Sequence, residues 1–164
     1  GSEVLTGYRW DYDAGTQPLP CESRWTYKAH GLTRFNLGLL RREDAASLTR
    51  ATLSFIRTRT PVSNTCGSPA ASVFAANAGF EGRSGSFALA EGQRVASSDH
   101  LAAASGSGGR FAVDATALVR QWLNGERANS GFALVQQTGR NYMQDQTCAT
   151  QYGDFRLILE FPAR

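Results

Sequence analysis

Lysine is nearly missing from this sequence. Lys28 is the one lysine among 17 basic residues, so arginine carries almost all the positive charge. Against 14 acidic residues the net charge is only +3, and the basic residues form no run. A nucleic-acid surface needs clustered cations interleaved with aromatic residues, and neither feature is present. No apolar stretch approaches the ~20 residues of a membrane-crossing helix. No hydrophobic leader stands at the start either. Gly1-Ser2 reads as an expression scar, with residues 3–164 expected to form one domain after loss of any native leader.

Histidine is almost as scarce: His30 and His100 are the only two. Asp99-His100 lies among serines, yet no Gly-x-Ser-x-Gly elbow stands between a strand and a helix, so a Ser-His-Asp triad has no frame. A glycosidase needs two carboxyls facing each other across a cleft. Glu22, Glu81 and Glu91 fall in turn-rich stretches and read as solvated loop residues. No catalytic residue is assigned. A polysaccharide hydrolase or lyase ranks behind the two non-enzymatic readings given below.

Cys21, Cys66 and Cys148 are the only cysteines. Their spacing matches no zinc knuckle and no redox pair. All three sit among turn-forming residues, which points to an oxidising compartment and one disulfide with a thiol left over. Cys66 and Cys148 flank expected core strands and are the favoured pair; three buried, reduced thiols are the alternative.

What the sequence does contain is alternation. In Tyr8-Arg9-Trp10-Asp11-Tyr12-Asp13, aromatic and charged residues take turns, the period of a strand. Trp25 and Tyr27 repeat it. Phe35, Leu37 and Leu39 predict a strand over 33–40. Ala51, Leu53 and Phe55 predict the inner face of a long strand over 48–60, with Arg57 and Arg59 continuing in the same register. Shorter strands are expected at 72–77, 87–89, 93–96, 110–113, 132–137 and 155–161. One helix is expected at about 115–124, its apolar stripe formed by Ala115, Leu118, Val119 and Trp122. Asp114 fits its N-cap and Gly125 its stop. Many short strands, Gly-rich turns and one short helix predict an all-β chain, a single jelly-roll β-sandwich of antiparallel strands.

The segment Asp114-Ala-Thr116-Ala-Leu-Val119-Arg-Gln-Trp122-Leu-Asn-Gly125, continued by Asn129 and Gly131, resembles the signature of DNRLRE-type domains. Thr33-Arg34-Phe35-Asn36-Leu37 resembles an earlier strand of that family, with Asn36 where an aspartate is usual. Arg50 to Phe55 and Phe155 to Leu159 resemble two further strands, so the likeness runs over about residues 32–161. The resemblance implies a jelly-roll module of secreted or cell-surface bacterial proteins, with some relatives binding carbohydrate. On the residues themselves, Asp114, Trp122, Gly125, Asn129 and Gly131 read as a fold-making corner, with Gly131 at positive φ.

Two binding expectations follow. Tyr8, Trp10 and Tyr12, backed by Arg57 and Arg59, are the candidate carbohydrate-binding residues, because flat rings in a row stack on sugars and arginine grips acidic groups. The same alternation also describes a core strand. Asp11 and Asp13, at a strand end, are candidate ligands for a structural calcium. The expected function is a non-catalytic module of the extracellular space, cell surface or periplasm that binds polysaccharide or envelope glycan. A structural or adhesive protein with a protein partner is the alternative.

Overall fold

A computed structural model describes residues 4–11, 25–29, 31–59, 71–76, 94–96, 110–136 and 147–163. In chain order these hold β1 (Val4–Asp11), β2 (Trp25–Ala29), β3 (Gly31–Thr33), α1 (Asp44–Ser47), β4 (Arg50–Arg59) and β5 (Ala71–Ala75). β6 (Arg94–Ala96), β7 (Arg110–Asp114), α2 (Thr116–Asn124), β8 (Phe132–Gln136) and β9 (Thr147–Glu160) follow. The strands form two antiparallel sheets. One has the order β2-β1-β9-β4-β7 and the other β3-β8-β5-β6. Strands dominate and two short helices accompany them, the expected one after β7 and a single helical turn, α1, in the charged 41–47 connection. The expected strand at 87–89 lies outside the described residues.

The two longest strands, β4 and β9, pair along the middle of the larger sheet. Alternate residues of β4 point inward, and Ala51, Leu53 and Phe55 are fully buried. One core cluster joins them to Phe111 and Val113 of β7, to Val73, Ala75, Phe132 and Leu134 of the second sheet, and to Leu118, Val119 and Trp122 of α2. Both sheets therefore bury apolar faces in one core. At its centre the Phe55 ring stacks on Phe111 at 5.2 Å and on Phe155 at 5.3 Å, and meets Tyr152 edge-on at 5.6 Å. Such ring pairs add about 0.5–1.5 kcal/mol each beyond the area they bury.

Two expected strands differ from the observed ones. The 33–40 strand stops at Thr33, and Leu39 is fully exposed. Asn36 is the cause: its Oδ1 accepts from the Gly38 N–H at 2.9 Å, and Leu40 N–H donates to the Leu37 carbonyl, so the backbone turns. Side chains of this type draw the backbone away from a ladder. Phe35 and Leu37 still pack against the core from this turn. The last strand begins at Thr147 rather than 155. Its register shifts between the Ser54 and Ile56 pairs, where Asp154 takes φ 49°, and this β-bulge breaks the alternation.

Candidate functional site

Directly paired residues in antiparallel strands share a sheet face, so the ladder sorts each residue to one side. In the larger sheet, Leu53 pairs with Leu157 and Val113, all on the inner face. The outer face then carries Arg50, Thr52, Ser54 and Ile56 of β4, Arg110, Ala112 and Asp114 of β7, and Arg156, Ile158 and Glu160 of β9. It is a broad polar plate on which Ile158 is half-exposed.

Two arginine-rich groups stand on this plate. At the bulge, the Asp154 carboxylate accepts from Arg110 Nη1 at 2.5 Å and from Arg156 Nη2 at 2.9 Å. Arg110 also donates to the Asp154 carbonyl at 2.7 Å and, through Nε, to Ser54 Oγ at 2.9 Å. This covers Ser54, which is buried although it faces outward. The Arg110 hydrogen bond is the main cause that holds the Asp154 carboxyl below its ordinary value. Two guanidinium groups on one carboxylate leave this group with a net positive charge.

The second group lines a shallow depression of about 700 Å³ formed by Thr49, Arg50, Asp114, Thr116, Ala117 and Arg120. Asp114 Oδ1 accepts from the Thr116 hydroxyl at 2.6 Å and the Thr116 N–H at 3.0 Å. Those two bonds hold the Asp114 carboxyl below its ordinary value, with the hydroxyl contributing most. Thr116 Oγ1 in turn accepts from Ala51 N–H at 3.0 Å, and Arg120 Nη2 donates to the Leu48 carbonyl at 2.6 Å. Asp114 is thus not the N-cap itself. It closes β7, Ala115 occupies the N-cap position, and the carboxylate reaches over it to the first turn of α2.

The remaining corner residues are joined by backbone geometry. Gly125 ends α2 at φ 76°, and Gly131 takes φ 86°. A Cβ on Gly131 would run into the Thr33 carbonyl and lie 3.0 Å from Arg34 Cα. Asn129 Nδ2 donates to the Phe35 carbonyl at 2.8 Å, and its Oδ1 accepts from Gly131 N–H at 3.1 Å. Trp122 is buried edge-on against Phe132, with ring centroids 5.1 Å apart.

The candidate sugar-binding residues separate. Val4 pairs with Tyr152 and Thr6 with Thr150, and both partners are buried. Tyr8 pairs in register with Cys148 on β9 and with Lys28 on β2, and Trp10 with Thr26 on β2. Tyr12 and Asp13 lie outside the described residues, and Asp11 ends β1 opposite Trp25. Arg57 stays inward, half-buried, with its guanidinium 5.8 Å from the Phe111 ring centre and hydrogen-bonded to Tyr152. Burial nonetheless pushes the Tyr152 hydroxyl up. A register shift between Arg57 and Arg59 pairs Arg57 with Tyr152 and Arg59 with Gln151.

Cys148 pairs in register with Tyr8, whereas Cys21, Cys66, His30 and His100 lie outside the described residues. Among the described residues no group of three or more His, Cys, Asp or Glu side chains is placed to hold a metal. No helix there is long and apolar enough to cross a membrane. Sequence reasoning missed Arg110, Asp154 and Arg156 as a group. Gly153-Asp154 ahead of an alternating apolar run was the available signal, since Gly and Asp in that position mark a bulge.

Compared with known proteins, the sequence matches no family model and no curated protein.

Proposed function

We propose that this chain is a non-catalytic, polysaccharide-binding module of the bacterial cell surface or extracellular space, folded as a DNRLRE-type jelly-roll β-sandwich. The strand order supports the fold. β1 pairs with β9 and β4 with β7 in one sheet, β3 with β8 and β5 with β6 in the other. These nested pairs, four in all, are what two strands wound together into a jelly roll produce, with β2 added at one edge. The corner from Asp114 to Gly131 supports the family likeness, because its residues make the hydrogen bonds and left-handed turns that such a signature would encode. The cysteines and the family habit support export.

Fold alone does not give a function. The observation that carries the binding reading is the outer face of the five-stranded sheet, a plate holding two arginine-rich groups with hydroxyl side chains and Ile158 between them. Guanidinium forks suit the hydroxyls and carboxylates of a glycan. Affinity electrophoresis tests this, with the full chain run through native gels cast with xylan, hydroxyethylcellulose, mannan, polygalacturonate or alginate. Retardation by at least one of these is expected. Free migration in all of them, the acidic ones included, overturns the proposal.

A further inference from the structure

β7 ends the five-stranded sheet, and among the described residues β4 is its only ladder partner. β6 comes near it from the second sheet but belongs to the ladder of β5. The far side of β7 is therefore a sheet edge. Hydrogen bonds show which backbone groups stand on it. Ala115 N–H donates to the Ala51 carbonyl, and Ala51 N–H donates to Thr116 Oγ1, so Ala115 faces β4. Backbone groups alternate in direction along an antiparallel strand. Val113 and Phe111 then face β4 as well, in keeping with their exposures of 1% and 2%. The N–H and C=O groups of Arg110, Ala112 and Asp114 point away from β4, and Ala112 and Asp114 are exposed.

Edge strands are commonly guarded against pairing by a proline, a bulge, a lysine or an inward charge. β7 has none of these, and its register with β4 runs without a shift. Its one basic side chain, Arg110, is drawn back over the sheet by its bonds to Ser54 and Asp154.

We propose that the edge of β7 is a dimerisation surface, on which a second copy of this chain lays its own β7 antiparallel about a two-fold axis at Ala112. Such an interface uses the same patch on both copies, so the patch must complement itself. Arg110-Phe-Ala-Val-Asp114 does so. Ala112 meets Ala112 of the second copy on the axis. Arg110 stands opposite Asp114 of the second copy, and Asp114 opposite its Arg110. Opposite charges across a strand pair stabilise it, and like charges do the reverse. A register slipped by two residues loses both charge pairs. The three residues whose backbone groups point outward become the hydrogen-bonded pairs, with about six bonds across the junction. The polar outer faces of the two sheets join into one plate. The inference does not depend on what that plate binds.

Sedimentation velocity of the full chain, from micromolar to millimolar concentration, tests it. Ala112→Lys and Ala112→Glu each set like charges face to face on the axis, at an exposed position of the edge strand, and thermal melting checks the fold of both. The unsubstituted chain is expected to form a dimer that grows with concentration. Each variant alone is expected to dissociate at least about fivefold more readily. An equimolar mixture of the two should recover the dimer, because lysine then faces glutamate. In the unsubstituted chain the Ala112 amide hydrogen should exchange more slowly as the dimer forms, a reading that needs no substitution. A chain that stays monomeric at millimolar concentration overturns the proposal. So does a dimer that both folded variants keep, one that their mixture does not restore, or one that leaves exchange at Ala112 unchanged.

Discussion

The side-chain amide of Asn129 donates to the backbone carbonyl of Phe35 at 2.8 Å, across 94 residues of sequence. One residue thereby ties the turn after β3 to the turn before β8, two strands that also pair with each other. Asn129→Ala leaves that carbonyl and the Gly131 N–H without their partner. It is expected to cost about 1–3 kcal/mol, read as a lowered urea midpoint with an unchanged slope. An unaltered midpoint would show that water replaces the amide at no cost.

Gly125 and Gly131 share a left-handed backbone but not their surroundings. Nothing lies within 4 Å of a Cβ placed on Gly125, whereas one on Gly131 strikes the β3 backbone. Gly125→Ala should cost about 1 kcal/mol. Gly131→Ala should cost more, about 3 kcal/mol or above, as strain and collision add. Equal losses in chemical denaturation would contradict the close approach.

Trp122 anchors α2 on Phe132, and among the described residues its indole N–H has no partner. Trp122→Ala should cost about 3–5 kcal/mol. Trp122→Phe keeps an aromatic ring there and removes the unpartnered donor, so it should cost under about 2 kcal/mol. Thermal denaturation of the two variants checks the order.

Asp114 and Asp154 both have carboxyls held below the ordinary value of 3.8. A depressed folded-state value means that their stabilisation is present above the unfolded value. It is lost as the pH falls from 3.8 through the lowered ones. Stability should therefore decline below about pH 4. Carboxyl NMR titrations should find both groups below 3.8. Arg110→Ala should return Asp154 towards its ordinary value, and Thr116→Val should do so in part for Asp114, whose bond from the Thr116 N–H remains.

Much of this architecture was legible because it obeys simple periods. The stripe from Ala115 to Trp122 sets α2, and the alternation Ala51, Leu53, Phe55 sets the inner face of β4. What period cannot supply is which face is inner. Tyr8, Trp10 and Tyr12 alternate as an exposed row would and as a core strand would. Extra residues defeat period outright. A register shift falls between Arg57 and Arg59, and the bulge at Asp154 hid the eight strand residues Thr147 to Asp154. Asn36 ended a strand by a local hydrogen bond that outweighs three alternating apolar residues.

The sequence holds three tryptophans, Trp10, Trp25 and Trp122. Chain made with 5-fluorotryptophan therefore gives three fluorine resonances, assigned through Trp10→Phe and Trp25→Phe. Titration with a polysaccharide that retards the chain should leave the signal of Trp122, buried on Phe132, in place. A shift of the Trp122 signal would put the glycan at the α2 corner rather than on the outer face of the five-stranded sheet and contradict the account.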